Sequence, residues 1–406
     1  MVDPADAQRV LVTVTGPDTP GITAALTAVI ADNHAELLDI EQVVVQGQLT
    51  LCLLIGLDTG RTQGDPVLKD LLFDAKRMGL DLQFKVLDET RLSSAPSPKA
   101  QRYAVTAIGD GLRTTGVQRI AAVLARQEAN IEHIRRLSSG KLLSLEIILS
   151  LPAGADQARE LRRGLAEATH DIDVDIAVQR ERLTRRSKRL VVMDMDSTLI
   201  QIEVIDELAR MHGVVDQVSE ITRRAMAGEL DFEGSLRSRV KLLEGMEYEK
   251  VLSLAKNLPV TDGAREMLHV LHTLGYKTGV ISGGFTFAAN ALRDELGLDY
   301  AYANELQVRD GKLTGEVLDP VVTPQRKADL LDAIAQRENI ALEQTIAIGD
   351  GANDMTMLQR AGLGIAFHAK PKLKEAADTS VSAGGLDRIL YLLGLHARDV
   401  RELLHE

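Results

Sequence analysis

The stretch that decides the fold of the larger part of the chain reads Leu190-Val191-Val192-Met193-Asp194-Met195-Asp196-Ser197-Thr198-Leu199. Its first four residues are apolar and predict a buried strand, and two carboxylates follow directly in a polar turn. Because residues two apart on an extended chain point to one side, we expect Asp194 and Asp196 on one face at the carboxyl end of the strand. Open α/β sheets bind their ligands at this end. Two unpaired carboxylates are costly to bury, which argues against an ordinary core position.

Short apolar strands alternate with helices after this stretch. We predict strands over 190–194, 278–282, 345–350 and 362–367, a pattern typical of a doubly wound parallel α/β sheet. The helical periodicity between the first two strands is too long for a single crossover. The sequence therefore predicts an α/β domain over 190–406 that carries a helical cap at about 203–262.

The N-terminal part of the chain carries the element order βαββαβ twice. The two copies span 1–90 and 102–179, and this order is typical of a ferredoxin-like fold. A polar Ser/Pro stretch over 91–101 is predicted to be a linker between the copies. The basic run 180–189 is interpreted as a second, solvated linker rather than a nucleic-acid-binding patch, because the surrounding chain is acidic.

Composition excludes several classes of partner. The chain has 59 acidic and 47 basic residues and a formal charge of -12, whereas a nucleic-acid-binding protein is expected to be basic. Its lone cysteine, Cys52, cannot form a disulfide within the chain, which favours a reducing compartment such as the cytoplasm. The N-terminus lacks the features of a signal peptide, and no apolar run reaches the roughly 18 residues that span a bilayer. We expect a cytoplasmic protein without nucleic-acid or membrane partners.

Polar residues follow several segments that are expected to meet at the carboxyl edge of the α/β sheet. They are Asp194 and Asp196, residues 282–284, Lys327, and residues 349–354. A carboxylate such as that of Asp194 is ionised at pH 7, so it can attack phosphorus without a base and form an acyl phosphate that water hydrolyses. Asp196 beside it can protonate the leaving oxygen and later accept a proton from the water. The pattern indicates phosphoryl transfer.

A phosphate among several carboxylates requires a hard cation, since the negative charges otherwise repel one another. Oxygen ligands with octahedral preference indicate Mg²⁺, with Asp194 and Asp350 as ligands. The phosphate oxygens are expected to contact the hydroxyl of Ser282, the backbone N–H of Gly283 and the charge of Lys327.

The segments resemble the four motifs of the haloacid dehalogenase-like phosphatases. These are Asp-Met-Asp-Ser-Thr-Leu at 194–199, Val-Ile-Ser-Gly-Gly-Phe at 280–285, Lys327, and Gly-Asp-Gly-Ala-Asn-Asp-Met at 349–355. The resemblance implies catalytic roles for Ser282 and Lys327, a metal contact from the backbone carbonyl of Asp196, and a substrate contact from Asn353. Asn353 and Asp354 are also expected to cap a helix, and Asp354 to support the metal ligands without being one.

Within that superfamily the cap resembles the phosphoserine phosphatase family. Glu203 resembles the family glutamate that binds the substrate ammonium, and Arg239 the arginine that binds its carboxylate. Met226 and Phe232 resemble the apolar residues that close over the substrate. The resemblance implies hydrolysis of O-phospho-L-serine to L-serine and phosphate, the last step of L-serine biosynthesis. Another phosphorylated amino acid, a phosphoprotein, a phosphotransferase reaction, or a vestigial site on an amino-acid-binding protein stay open as alternatives.

The two N-terminal copies resemble ACT domains, which bind amino acids. The first copy has the loop Gly-Pro-Asp-Thr-Pro-Gly-Ile at 16–22, whereas the second carries Arg113 in place of Asp18. The resemblance implies an amino-acid effector such as L-serine, with Asp18, Gly21 and Asn130 as regulatory candidates. Because ACT-like sheets commonly associate side by side, we also predict a homodimer; an exposed edge covered within the chain is the alternative.

Overall fold

The protein forms two compact units, residues 1–97 and residues 98–406, and each is described by itself. The structure is a computed structural model that describes residues 7–58, 66–87, 101–110, 112–138, 142–152, 157–182, 185, 187–226 and 229–405. The predicted linker 91–101 lies outside the described residues except for its last position.

The first unit has the predicted element order βαββαβ. Its elements are β1 (Ala7–Pro17), α1 (Ile22–Asp32), β2 (Glu36–Val45), β3 (Gln48–Asp58), α2 (Pro66–Arg77) and β4 (Asp81–Leu87). The strands form an antiparallel sheet in the order β2-β3-β1-β4. Alternate residues of β1, Val10, Val12 and Val14, are fully buried against the two helices. This alternation places the core on one face of the sheet.

The second unit begins with a domain of the same topology. Its elements are β5 (Gln101–Gly109), α3 (Thr114–Arg126), β6 (Asn130–Arg136), β7 (Leu143–Leu151), α4 (Gln157–Thr169) and β8 (Asp175–Arg180). The strand order β6-β7-β5-β8 matches that of the first unit position for position. The ferredoxin-like fold predicted for both copies is confirmed.

The α/β domain has a six-stranded parallel sheet in the order β11-β10-β9-β14-β15-β16. Its strands are β9 (Leu190–Met193), β10 (Lys277–Phe285), β11 (Tyr300–Asn304), β14 (Thr345–Gly349), β15 (Gly364–Phe367) and β16 (Thr379–Val381). All four residues of β9 are fully buried, since this central strand is covered on both faces. The predicted doubly wound α/β fold is confirmed.

Helices on both faces and a helical cap complete this domain. Between β9 and β10 lie α5 (Val204–His212), α6 (Val215–Met226), α7 (Phe232–Lys241), α8 (Tyr248–Ala255) and α9 (Ala264–Thr273). The later helices are α10 (Thr286–Leu296), α11 (Pro324–Arg337), α12 (Met355–Arg360), α13 (Pro371–Ala376), α14 (Ile389–Leu392) and α15 (Ala397–His405). In the described part of the chain, the longest helices fall short of what a membrane span requires.

The structure adds elements that the sequence pattern did not predict. The edge strand β11 and a hairpin of β12 (Leu306–Arg309) and β13 (Lys312–Val317) lie in a region with no clear apolar period. Strand β9 ends at Met193, one residue earlier than predicted, because the Asp194 carboxylate accepts a hydrogen bond from the next backbone N–H and starts the turn.

The basic run 180–189 was expected to be solvated, and this was wrong for two of its side chains. Arg185 and Lys188 are both 5% exposed. Glu146 and Glu181 bind the Arg185 guanidinium, and the Lys188 ammonium contacts backbone carbonyls at the start of β14. Burial is possible here because each cation has a partner that the local sequence does not reveal.

Candidate active site

Asp194 lies directly after β9 and is almost fully buried. Its Oδ2 atom lies 2.7 Å from Lys327 Nζ and accepts a hydrogen bond of 3.2 Å from Asn353 Nδ2. Its Oδ1 atom accepts a 2.7 Å hydrogen bond from the Met195 N–H. Burial of Asp194 is possible because its carboxylate is paired: the Lys327 ammonium, itself fully buried, supplies the opposite charge.

Asp196 is carried into the same site by a tight turn rather than by a continued strand. Ser197 in this turn has a positive φ of 57°, and the Asp196 carboxylate accepts a hydrogen bond of 3.3 Å from the Val204 N–H. Burial raises the pKa of the Asp196 carboxyl well above its usual value, and the neighbouring Glu203 and Asp194 raise it further. The surroundings of Asp196 therefore favour its neutral form more than water does.

The residues predicted to bind phosphate lie near the carboxyl end of β10, in a loop over 282–284 that we call the phosphate-side loop. Ser282 is buried, and its Oγ accepts a hydrogen bond of 2.9 Å from the Gly284 N–H. Because that bond uses only a lone pair, the hydroxyl hydrogen remains available to an anion. A Cβ placed on Gly284 would lie 2.7 Å from Asp196 Oδ2, so the loop passes close to the carboxylates only because glycine lacks that atom.

Lys327 links three of the predicted segments. It lies on α11, and its Nζ is 2.7 Å from both Asp194 Oδ2 and Asp354 Oδ1. Burial lowers the pKa of Lys327, but the two carboxylates outweigh this and raise it above its usual value. Asp354 also accepts a hydrogen bond of 3.1 Å from the Gly351 N–H, which fits the predicted role at the helix start.

Three carboxylates form a compact group that fits a hard cation. Among the described residues, ligand atoms of Asp194, Asp350 and Asp354 all lie within 4.8 Å of one another. Thr198 Oγ1 donates a 3.1 Å hydrogen bond to Asp350 Oδ1 and orients that carboxylate. Burial and the charge of Asp194 raise the pKa of Asp350 to about 6.

The cap residues predicted to bind the substrate lie around this centre. Glu203 immediately precedes α5, and its carboxylate accepts a 2.8 Å hydrogen bond from Ser197 Oγ. Arg239 is half-buried on α7, and burial lowers the pKa of its guanidinium although the nearby Glu203 and Asp206 carboxylates act in the opposite direction. A Cβ on Gly283 would lie 2.8 Å from Phe232 Cζ, so this cap ring covers the phosphate-side loop.

The remaining predicted residues lie on other elements of the chain. Met226 ends α6, and its side chain lies outside the described residues. Asp18 and Gly21 lie in the loop between β1 and α1, where Gly21 has φ 98° and the Asp18 N–H donates to the Gly47 carbonyl. Asn130 begins β6 in the second unit.

Sequence reasoning missed three residues that position the site. Ser197 and Thr198 stand in the opening stretch beside the predicted carboxylates, so their place in the motif was the available signal. Asn304, at the end of β11, bonds the Gly283 carbonyl and the Val322 N–H. A lone asparagine at the end of an unpredicted strand gave no signal.

Comparison with known protein families first defines the class. Residues 188–362 match the haloacid dehalogenase-like hydrolases, and residues 8–85 and 102–179 match two ACT domain families. The convergence of Asp194, Lys327 and Asp350 at the carboxyl edge of the sheet agrees with that class. The chain is a hydrolase with two ACT domains.

Individual relatives define the family. The phosphoserine phosphatase of Streptomyces coelicolor is 41% identical over 98% of this chain and 94% of that protein. The phosphoserine phosphatase of Mycobacterium tuberculosis is 40% identical over 95% of this chain and 93% of its own length. A crystal structure of a probable phosphoserine phosphatase from Vibrio cholerae has a TM-score of 0.54 at 34% identity, over 78% of this chain and 93% of that one. The chain belongs to the phosphoserine phosphatase family.

Proposed function

We propose that the protein hydrolyses O-phospho-L-serine to L-serine and phosphate, the last step of L-serine biosynthesis. The observation that carries the proposal is the unequal state of two neighbouring carboxyls. Asp194 is ion-paired to Lys327, whereas burial, Glu203 and Asp194 raise the pKa of the Asp196 carboxyl. A nucleophile beside a proton donor is what a two-step phosphate ester hydrolysis requires.

In the first step the Asp194 carboxylate attacks phosphorus while the bond between phosphorus and the serine oxygen breaks. Asp196 donates its proton to that oxygen, so L-serine leaves as a neutral alcohol. In the second step Asp196 accepts a proton from water as the water oxygen attacks phosphorus. The bond between phosphorus and Asp194 then breaks, phosphate leaves, and both carboxyls return to their starting states.

The phosphate oxygens are bound by the Ser282 hydroxyl, the Gly283 N–H and Lys327 in this proposal. Lys327 cannot move away easily, because Asp354 holds its ammonium from the other side at 2.7 Å. Preorganised donors of this kind stabilise the charge that develops in the transition state.

Mg²⁺ is the proposed cofactor, and the all-oxygen donor set fits it. Asp194, Asp350 and the backbone carbonyl of Asp196 would hold the ion, with Asp354 supporting them. Bound Mg²⁺ neutralises the charge of the carboxylates and the phosphate dianion.

Substrate choice is assigned to the cap. Glu203 is proposed to bind the ammonium group and Arg239 the carboxylate, while Phe232, Met226 and Asn353 complete the pocket. The proximity of Phe232 to Gly283 supports this arrangement, since it places the cap directly over the phosphate-side loop.

The ACT domains are proposed to bind an amino-acid effector such as L-serine, with Asp18, Gly21 and Asn130 among the contacts. We also propose a homodimer in the cytoplasm. The edge strand β2 supports the dimer, because its side chains Ile40, Val43 and Val45 are 42%, 51% and 63% exposed. Light scattering tests it, and a monomer at micromolar concentration would contradict it.

Phosphate release from L-phosphoserine, with EDTA and then with added Mg²⁺, tests the proposed function. Asp194→Asn should lower kcat by more than about a thousandfold, whereas Asp329→Asn, an exposed change on the helix of Lys327, should have little effect. Near wild-type turnover by Asp194→Asn would exclude the covalent mechanism.

A panel of phosphorylated amino acids and a phosphopeptide tests the substrate. Arg239→Ala should raise KM for L-phosphoserine by at least about tenfold, through loss of a charged hydrogen bond. Arg237→Ala is the matched control. Arg237 lies two residues before Arg239 on the same helix, and its guanidinium pairs with Glu233 and Asp319. Faster hydrolysis of the phosphopeptide than of L-phosphoserine would favour a phosphoprotein substrate.

A further inference from the structure

Strand β10 leaves its partner strand at the phosphate-side loop. Ile281 pairs with Tyr302 on β11, but the next pair joins Phe285 to Asn304, so β10 loops out over residues 282–284. Such a bulge interrupts the ladder and leaves backbone groups without a strand partner. The loop carries the Ser282 hydroxyl and the Gly283 N–H, so its conformation decides where those donors point.

The side chain of Asn304 replaces the interrupted ladder. Asn304 is 1% exposed, and its Nδ2 donates a 2.7 Å hydrogen bond to the Gly283 carbonyl. Because a buried carbonyl without a donor is costly, this bond fixes the peptide between Gly283 and Gly284 in one orientation.

The same side chain also holds the segment that leads into the lysine helix. Asn304 Oδ1 accepts a 2.7 Å hydrogen bond from the Val322 N–H. Val322 is buried, and α11 begins two residues later and carries Lys327. One amide group therefore connects the loop with the phosphate donors to the approach of the phosphate-binding lysine.

We propose that Asn304 is a positioning residue that sets the phosphate-binding loop against Lys327. It touches no reacting atom and acts through Gly283 and Val322. The inference rests on the phosphate-binding roles proposed for Ser282, Gly283 and Lys327. It is independent of the metal ligands, since neither of the two hydrogen bonds involves Asp194 or Asp350.

Two titrations of the full-length protein distinguish a misplaced phosphate-side loop from a general loss of structure. Calorimetry with Mg²⁺ alone measures the carboxylate site, and calorimetry with inorganic phosphate in saturating Mg²⁺ measures the loop. Asn304→Leu, which keeps the branched shape and the number of side-chain heavy atoms, and Asn304→Ala should each weaken phosphate binding by at least about tenfold while Mg²⁺ affinity stays within about twofold. Asn290→Ala, an exposed change on α10, should alter neither affinity.

Kinetics with L-phosphoserine provide the second readout. The Asn304 variants should lower kcat as well as raise KM, because donors held in place matter most in the transition state. Unchanged phosphate affinity, or an equal loss of Mg²⁺ and phosphate affinity, would overturn the proposal. If the wild-type protein binds phosphate but does not hydrolyse L-phosphoserine, the proposed substrate is wrong while the phosphate titration still decides the role of Asn304.

Discussion

The two ACT domains share one topology but differ in the outer face of the sheet, the face away from their helices. In the first domain Thr13 pairs with Cys52, and in the second Thr106 pairs with Glu146 at the same register position. Cys52 is half-buried, whereas Glu146 is fully buried. The same fold thus presents a partly open face in one copy and a covered face in the other.

The catalytic domain covers the outer face of the second copy. Ile108 and Ala177 from that face belong to the same apolar core as the α/β domain. The hydroxyl of Ser380 on β16 and the backbone N–H of Ser382, just after that strand, donate hydrogen bonds to the Asp175 carboxylate on β8. The second ACT domain is therefore built into the catalytic unit.

The edge strands differ in a related way. Strand β6 of the second copy carries Glu132, His133, Arg135 and Arg136, which protect an edge from association. Strand β2 of the first copy ends in Val43-Val44-Val45 and has no such protection there. The second copy uses the outer face of its sheet for contact within the chain. The first copy exposes apolar side chains on its edge strand β2.

The largest expected effect concerns the buried charge at the register-matched position. Glu146 accepts hydrogen bonds of 2.9 Å from Arg185 Nη2 and 2.7 Å from Arg135 Nε. Glu146→Gln removes one of the two carboxylates that neutralise the buried Arg185 charge and leaves only Glu181, so the free energy of unfolding of the second unit should fall by about 3 kcal/mol. Cys52→Ser should change that of the first unit by less than about 1 kcal/mol.

Urea unfolding followed by tyrosine fluorescence measures the second unit alone, since all six tyrosines lie at position 103 or beyond and tryptophan is absent. Hydrogen exchange of peptides from β1 and β3 measures the first. Burial raises the pKa of Glu146, but Arg185 and Arg135 outweigh this and hold it below its usual value of 4.5. The advantage of wild type over Glu146→Gln should therefore exist above pH 4.5 and shrink as pH falls further. An advantage that grew in acid would contradict the ion-pair account.

The next effect comes from Mg²⁺, which should stabilise only the unit that holds the carboxylates. At a concentration 100 times its Kd, Mg²⁺ should stabilise the second unit by about 2.7 kcal/mol through mass action. Tyrosine fluorescence should show the shift, while hydrogen exchange in the first unit stays unchanged. Asp350→Asn should abolish it, and equal protection of both units would show that Mg²⁺ binds elsewhere.

Much of this organisation could be predicted from the sequence, because local patterns carried it. Alternating valines on β1 and the apolar stretch before Asp194 each encode one element and its buried face. Most residues at the centre of the site could be predicted together, because they lie at the ends of strands or at the starts of helices that follow them. In a parallel sheet these ends converge at one edge.

The features that the sequence did not predict depend mostly on partners that lie far apart in the sequence. Glu146 interrupts an apolar strand, but its partner Arg185 lies 39 residues away in a run interpreted as solvated. Lys327 lies 133 positions beyond Asp194, so the ion pair that permits burial of Asp194 was not visible locally. Strand β11, with its sequence Tyr-Ala-Tyr-Ala-Asn, lacks a run of β-branched residues, and it was missed together with Asn304.

A smaller effect separates the two edge strands. Ile40 on β2 and Ile134 on β6 occupy matched register positions and are 42% and 51% exposed. Ile40→Lys should weaken the proposed dimer by at least about tenfold, because it places a charge in an apolar contact. Ile134→Lys should leave it unchanged. Analytical ultracentrifugation of both variants checks this, and the opposite order would assign the dimer contact to the second ACT domain.

The smallest expected effect concerns Thr13 and Thr106, which occupy matching register positions in the two ACT domains. Thr106 is fully buried, and its Oγ1 has no hydrogen-bond partner within the described residues. Thr106→Val replaces an unsatisfied hydroxyl with a methyl group of similar size, so the second unit should become more stable by up to about 1 kcal/mol. Thr13 is only half-buried, and water can satisfy its hydroxyl, so Thr13→Val should change the first unit by less than about 0.5 kcal/mol. The two variants are measured by the same fluorescence and exchange experiments. A clear destabilisation by Thr106→Val would show that the covered face holds a hydrogen-bond partner, such as a buried water, for that hydroxyl.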